Sequence, residues 1–88
     1  MVESSSTDLH PENGGRFVAT RVTADPVVYD VAIYLPEGRR LQTRVDWPEG
    51  PARLEPALSD PWAESETLKL ARVLRRGTRS SLTRWRGR

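Results

Sequence analysis

The residues best suited to chemistry in this sequence are basic and lie near its C-terminal end. Lys69, Arg72 and Arg76 are spaced by three and four, which on a helix places them in one stripe about 10 Å long. Arg79, Arg84, Arg86 and Arg88 continue the charge, and Trp85 stands between Arg84 and Arg86. Basic groups neutralise phosphates, and an interleaved indole can stack on a base. The pattern therefore points to Lys69, Arg72, Arg76, Arg79, Arg84, Trp85, Arg86 and Arg88 as nucleic-acid contacts. The competing assignment is structural. Charged helix stripes are commonly solvated faces, and Leu82 with Trp85 can fold back onto the domain edge, ring buried and polar edge wet.

Charge is strongly segregated along the chain. Residues 1–68 hold all 12 acids and 6 bases, and residues 69–88 hold 8 bases and no acid. A basic end of this kind suits a polyanion or an acidic protein surface. Of the 14 bases only Lys69 is a lysine, a bias that a GC-rich genome also produces, so charge carries this argument and guanidinium geometry does not.

Other reactive sets are poor. There is no cysteine and one histidine, His10, which leaves no disulfide framework and no thiolate zinc site. Asp8, His10 and Glu12 alternate in a polar segment, but a zinc site needs three or four preorganised ligands. Asn13-Gly14-Gly15 lacks the strand and helix that flank a phosphate-binding loop. Glu64 and Glu66 fit the favourable dipole end of a helix, and Asp46 and Glu49 are ordinary loop acids. The chain reads as non-enzymatic, with no cofactor and no metal.

At 88 residues the sequence specifies one domain with a small core. MVESSSTDLH has neither a basic n-region nor an apolar h-region, so no signal peptide is expected. The longest apolar run, Val31 to Leu35, is far short of the roughly 20 residues of a membrane helix. These features, with the absence of cysteine, lead to the expectation of a cytoplasmic protein.

The elements that position the basic residues follow from periodicity. Residues 1–15 are polar and read as a flexible tail. Residues 16–23 are rich in β-branched side chains, and 27–35 alternate apolar and polar. Pro36-Glu37-Gly38 is a turn, with 41–47 as the return strand. If Leu35 faces Arg39, then Val31 faces Thr43 and Asp30 faces Arg44, joining opposite charges on the wet face. A short edge segment is conceivable around Arg53-Leu54. Asp60 caps a helix opened by Pro61 and stopped by Gly77. On its wheel Trp62, Ala63, Leu70, Ala71, Val73 and Leu74 form the apolar half, with Glu66 and Leu68 out of place.

The expected fold is α+β: a three-stranded antiparallel β-meander with one C-terminal helix packed on one face, spanning 16–77, and a basic extension over 78–88. The same β-β-β-α order occurs in plant AP2-type and phage-integrase N-terminal DNA-binding domains. None of their motifs is present, so the similarity is topological and implies no function. The functional expectation is a small binding protein that contacts nucleic acid weakly through the basic helix face and C-terminal segment. The alternative is a protein–protein interaction module or homodimer, with Leu68, Phe17, Val18 and Val22 as interface residues.

Overall fold

Alternation of Val27, Tyr29, Val31 and Ile33 with Val28, Asp30, Ala32 and Tyr34 gives a strand whose two faces differ, and that strand becomes the centre of the sheet. A computed structural model describes residues 11–88. It contains β1 (Gly15–Ala24), β2 (Val27–Tyr34), a single 3-10 turn (Pro36–Gly38), β3 (Arg40–Asp46), β4 (Arg53–Glu55), α1 (Pro61–Leu74) and β5 (Ser81–Arg86). The strands form one antiparallel sheet in the order β4-β3-β2-β1-β5. Most of the tail expected over 1–15, including His10, lies outside the described residues.

The β2–β3 hairpin has the expected register, with Val31 opposite Thr43 and Asp30 opposite Arg44. Arg44 Nε donates to Asp30 Oδ1 at 2.8 Å. Its turn takes two left-handed positions, Glu37 at φ 65 and Gly38 at φ 75. The β1–β2 ladder is interrupted between Arg21 and Thr23, a bulge that leaves Val22 on the surface.

The expected three-stranded meander with a terminal helix is incorrect: the sheet has five strands, and α1 is followed by β5. With the meander goes the β-β-β-α order it shared with the two DNA-binding classes. Two physical causes account for the extra strands. Gly77, at φ 72, turns the chain back toward the sheet after α1. Arg21 Nη1 then donates to the Gly77 carbonyl at 2.6 Å, and Tyr29 Oη donates to the Arg79 carbonyl. These contacts bring Ser81–Arg86 against the open edge of β1, where it pairs with Gly15–Thr20. At the other edge Thr43 Oγ1 donates to the Pro56 carbonyl at 2.8 Å and anchors the short β4.

The core lies between one sheet face and α1. Phe17, Ala19, Tyr29, Val31, Ile33 and Val45 meet Ala63, Leu70, Ala71 and Leu74 there. Phe17 is buried, not on the outer sheet face where a dimer contact would need it. The helix wheel also needs two corrections. Val73 is 42% exposed, and Thr67 takes an interior place. Thr67 Oγ1 donates to the Ala63 carbonyl one turn back, at 2.7 Å, so its hydroxyl enters the core satisfied. Among the described residues no helix is long and apolar enough to cross a membrane.

Candidate nucleic-acid interface

The strand β5 divides the C-terminal basic residues between two faces. Leu82, Arg84 and Arg86 pair with Ala19, Phe17 and Gly15, so they project to the helix side. Trp85 pairs with Arg16 and projects to the other, open side.

On the helix side several cations are held by acids. Glu66 sits at the seam between α1 and β5 and is only 12% exposed. Lys69 Nζ approaches it at 3.0 Å and Arg86 Nε at 3.5 Å, which explains an acid on the apolar side of the wheel. Arg88 Nη2 donates to Asp60 at 3.1 and 3.2 Å, and its guanidinium lies 4.8 Å from the Trp62 ring centroid. Arg72, Arg76, Arg79 and Arg84 remain exposed. The eight residues singled out from sequence thus do not form one surface. Lys69, Arg86 and Arg88 are each paired to an acid while their side chains stay 59%, 43% and 49% exposed, and Trp85 faces away from the other members.

Asp60 is a structural hub. Its Oδ1 accepts the Ala63 N–H at 3.0 Å, as the N-cap pattern requires. That hydrogen bond holds its carboxyl below the usual carboxylate range; burial opposes the shift, and Arg88 reinforces it. A depressed folded-state pKa stabilises the fold fully above the unfolded value of about 3.9, and the contribution disappears as pH falls through the lower folded value. Asp60→Asn keeps a cap acceptor but removes the charge. Its urea midpoint should therefore lie below that of the parent at pH 7, with the gap closing toward pH 2.5. An equal gap at every pH would assign the loss to packing instead.

The open face carries a different constellation, which sequence reasoning missed except for Trp85. Arg16 lies opposite Trp85 on one side and Tyr34 on the other, and Tyr34 lies opposite Arg40. Trp85, Arg16, Tyr34 and Arg40 therefore form a row across β5, β1, β2 and β3, about 14 Å long at roughly 4.8 Å per strand. The Arg16 guanidinium is 5.4 Å from the Tyr34 centroid and 5.6 Å from that of Trp85; Arg40 is 5.5 Å from Tyr34. Trp85 is 58% exposed. Among the described residues no carboxylate lies within 4.0 Å of the Arg16 or Arg40 guanidinium. The next row, Thr83, Val18, Ala32 and Gln42, is uncharged and flat. Beyond it Asp30 and Arg44 neutralise each other.

The sequence signal for this row was incomplete. The hairpin register alone places Tyr34 beside Arg40. Arg16 and Trp85 join them only through a strand pair more than sixty residues apart in the chain.

The row can stack planar rings and hold anions. Nothing in it can activate a nucleophile, and no group of metal-ligating side chains occurs among the described residues. In comparison with known proteins, no family model, no curated protein and no solved structure matches this chain.

Proposed function

We propose that this chain is a non-enzymatic binding protein whose open sheet face takes a short stretch of single-stranded nucleic acid. The observation that carries the reading is the row of Trp85, Arg16, Tyr34 and Arg40, with alternating rings and guanidinium groups and an exposed indole at its end. Bases splayed from a single strand can stack on such rings while the arginines neutralise phosphates. A duplex hides its base faces and cannot use them. The uncharged second row gives a flat shelf, and its Gln42 is a single polar group, too little to read a base sequence. Binding is therefore weak and tolerant of sequence, with Kd in the range of roughly 10⁻⁴ to 10⁻⁶ M at physiological salt.

This reading predicts a shallow salt dependence. Two arginines on a single strand give a log–log slope of about −1.4, at about −0.7 per phosphate. Contacts through the seven C-terminal bases singled out from sequence would make it several-fold steeper. The experiment is fluorescence anisotropy of a labelled single-stranded oligonucleotide at graded salt. Trp85→Ala should weaken binding by about 5- to 150-fold, from ~1–3 kcal/mol of stacking per base, and Arg16→Ala should also flatten the slope by about 0.7. Arg72→Ala with Arg76→Ala should leave both unchanged. A Trp85→Ala protein that binds as before but melts lower would reduce the row to a cross-strand staple, and the reading would fail.

A further inference from the structure

A second feature lies on the helix side of the sheet, away from the Trp85–Arg40 row. The chain leaving β3 runs through Trp47-Pro48-Glu49-Gly50-Pro51-Ala52 before it enters β4. Between this loop and α1 is a groove of about 380 Å³. Its floor is apolar, made by Trp47, Pro51, Ala52 and Leu68, and Arg72 and Arg75 stand on its rim. Leu68 is 39% exposed. It is the apolar residue that sits out of place on the polar side of the helix wheel, and the groove gives that position a use. At one end the groove continues past Trp47 and Arg75 to Val27, and at the other past Leu68 and Arg72 along α1.

In the central part of the groove the charged lining residues are Arg72 and Arg75, and Glu64 lines only its far end along α1. Arg72 and Arg75 are one helical turn apart, and among the described residues neither has a carboxylate within 4.0 Å. The nearby acid Asp46 is already engaged by Arg53 at 2.7 and 3.0 Å. Fixed cations beside an uncovered apolar floor complement a ligand with carboxylates beside an apolar side chain. A nucleic-acid backbone would satisfy the arginines but leave Leu68, Pro51 and Ala52 wet. A wholly aliphatic ligand would leave two desolvated guanidinium groups without partners.

We propose that the groove between α1 and the Trp47–Ala52 loop docks an acidic peptide segment of a protein partner, anchored by one or two large apolar side chains. The apolar anchor enters over Leu68 and beside Trp47, and carboxylates on either side meet Arg72 and Arg75. The site is independent of the sheet-face reading. The chain then presents two surfaces to two ligands, one on each side of the sheet.

The test uses the full chain and a short fluorescein-labelled peptide of aspartates around a central Leu-Phe pair. Two control peptides replace the Leu-Phe pair by Ala-Ala or the aspartates by lysines. The parent protein should bind the first peptide and neither control, and binding should weaken as salt rises. Arg72→Glu with Arg75→Glu should lower affinity at least about tenfold, since attraction becomes like-charge repulsion. Leu68→Ser should lower it several-fold. These positions are exposed, so circular dichroism should report an unchanged fold, and single-strand binding by the sheet face should persist. Equal binding of the Ala-Ala peptide, with full competition by an oligonucleotide, would overturn the proposal in favour of a plain anion surface. A concentration-dependent dimer abolished by Leu68→Ser would overturn it in favour of a second copy of this chain. No binding of the aspartate peptide at low salt would overturn it outright.

Discussion

Replacing Gly14 by alanine is expected to destabilise the protein by about 2–4 kcal/mol and to pull the end of β5 away from β1. Gly14 is at φ 78, and a Cβ there would stand 1.9 Å from the carbonyl oxygen of Arg86 and 2.8 Å from its carbonyl carbon. Both obstacles are backbone atoms, so no rotamer change relieves them. The neighbouring pair, Gly15 with Arg86, is the last rung of the β1–β5 ladder, and Arg16 with Trp85 is the next. The clash thus acts directly on the strand that carries the exposed indole. Gly38→Ala is the control. Its φ is 75 but nothing lies within 4 Å of its Cβ position, so it should cost only about 1 kcal/mol of left-handed strain. Urea midpoints and single-strand binding of the two variants separate the effects. Gly14→Ala should lose both stability and binding, Gly38→Ala a little stability and no binding. Similar midpoints and intact binding in both would mean that β5 does not depend on the close approach at Gly14.

What the sequence made legible is what short-range physics determines. The hairpin of β2 and β3 follows from period-two alternation and a Pro-Glu-Gly turn, and its pairing of Asp30 with Arg44 from counting across that turn. The start of α1 follows from Asp60 and Pro61. The strand β5 could not be read in the same way. Leu82 and Trp85 are its apolar residues, and an odd spacing puts them on opposite faces, so no alternation survives. An edge strand with a wet outer face needs little apolar content, and its pairing with Gly15–Thr20 is a long-range event. The exchange of Val73 for Thr67 in the core has a different cause. A pattern by residue type counts threonine as polar, but its bond to the Ala63 carbonyl removes that cost.

The reading of charge from the sequence meets the same limit. Counting bases along the chain detects charge but not its partners. Glu66 and Asp60 lie before the basic segment in sequence, and the fold returns Lys69, Arg86 and Arg88 to them. Among the described residues, Arg16 and Arg40 on the open sheet face, and Arg72, Arg75, Arg76, Arg79 and Arg84 on and after α1, have no carboxylate within 4.0 Å. Arg16 and Arg40 come from the acidic part of the chain, where a charge count gives no reason to look.

Deleting residues 81–88 should leave a chain that is largely unfolded at 25 °C. As an extension beyond the domain, this segment would be dispensable; as β5 it is not. Its removal strips Gly15–Thr20 of six strand partners and exposes the side of the core that Leu82 packs against. It also removes Arg88 from Asp60, which is 9% exposed, and Arg86 from Glu66. Asp60 keeps Arg39 at 3.8 Å and Glu66 keeps Lys69 at 3.0 Å, so each carboxylate loses one of two cations, a fraction of the roughly 3–5 kcal/mol that an unpaired, fully buried charge costs. Domains of this size have only about 5 kcal/mol or a little more in total, so the combined losses are of the order of the whole stability. Deleting only residues 87 and 88 removes the Asp60 latch but keeps the ladder, and should give a folded protein with a lower urea midpoint. Amide dispersion in a proton–nitrogen correlation spectrum reads the result residue by residue. The full chain and the shorter deletion should be dispersed, and the longer deletion collapsed to the random-coil range. A well-dispersed spectrum and an unshifted urea midpoint for the 1–80 chain would show that the fold is complete without β5, and that Arg16 and Tyr34 do not need Trp85 beside them.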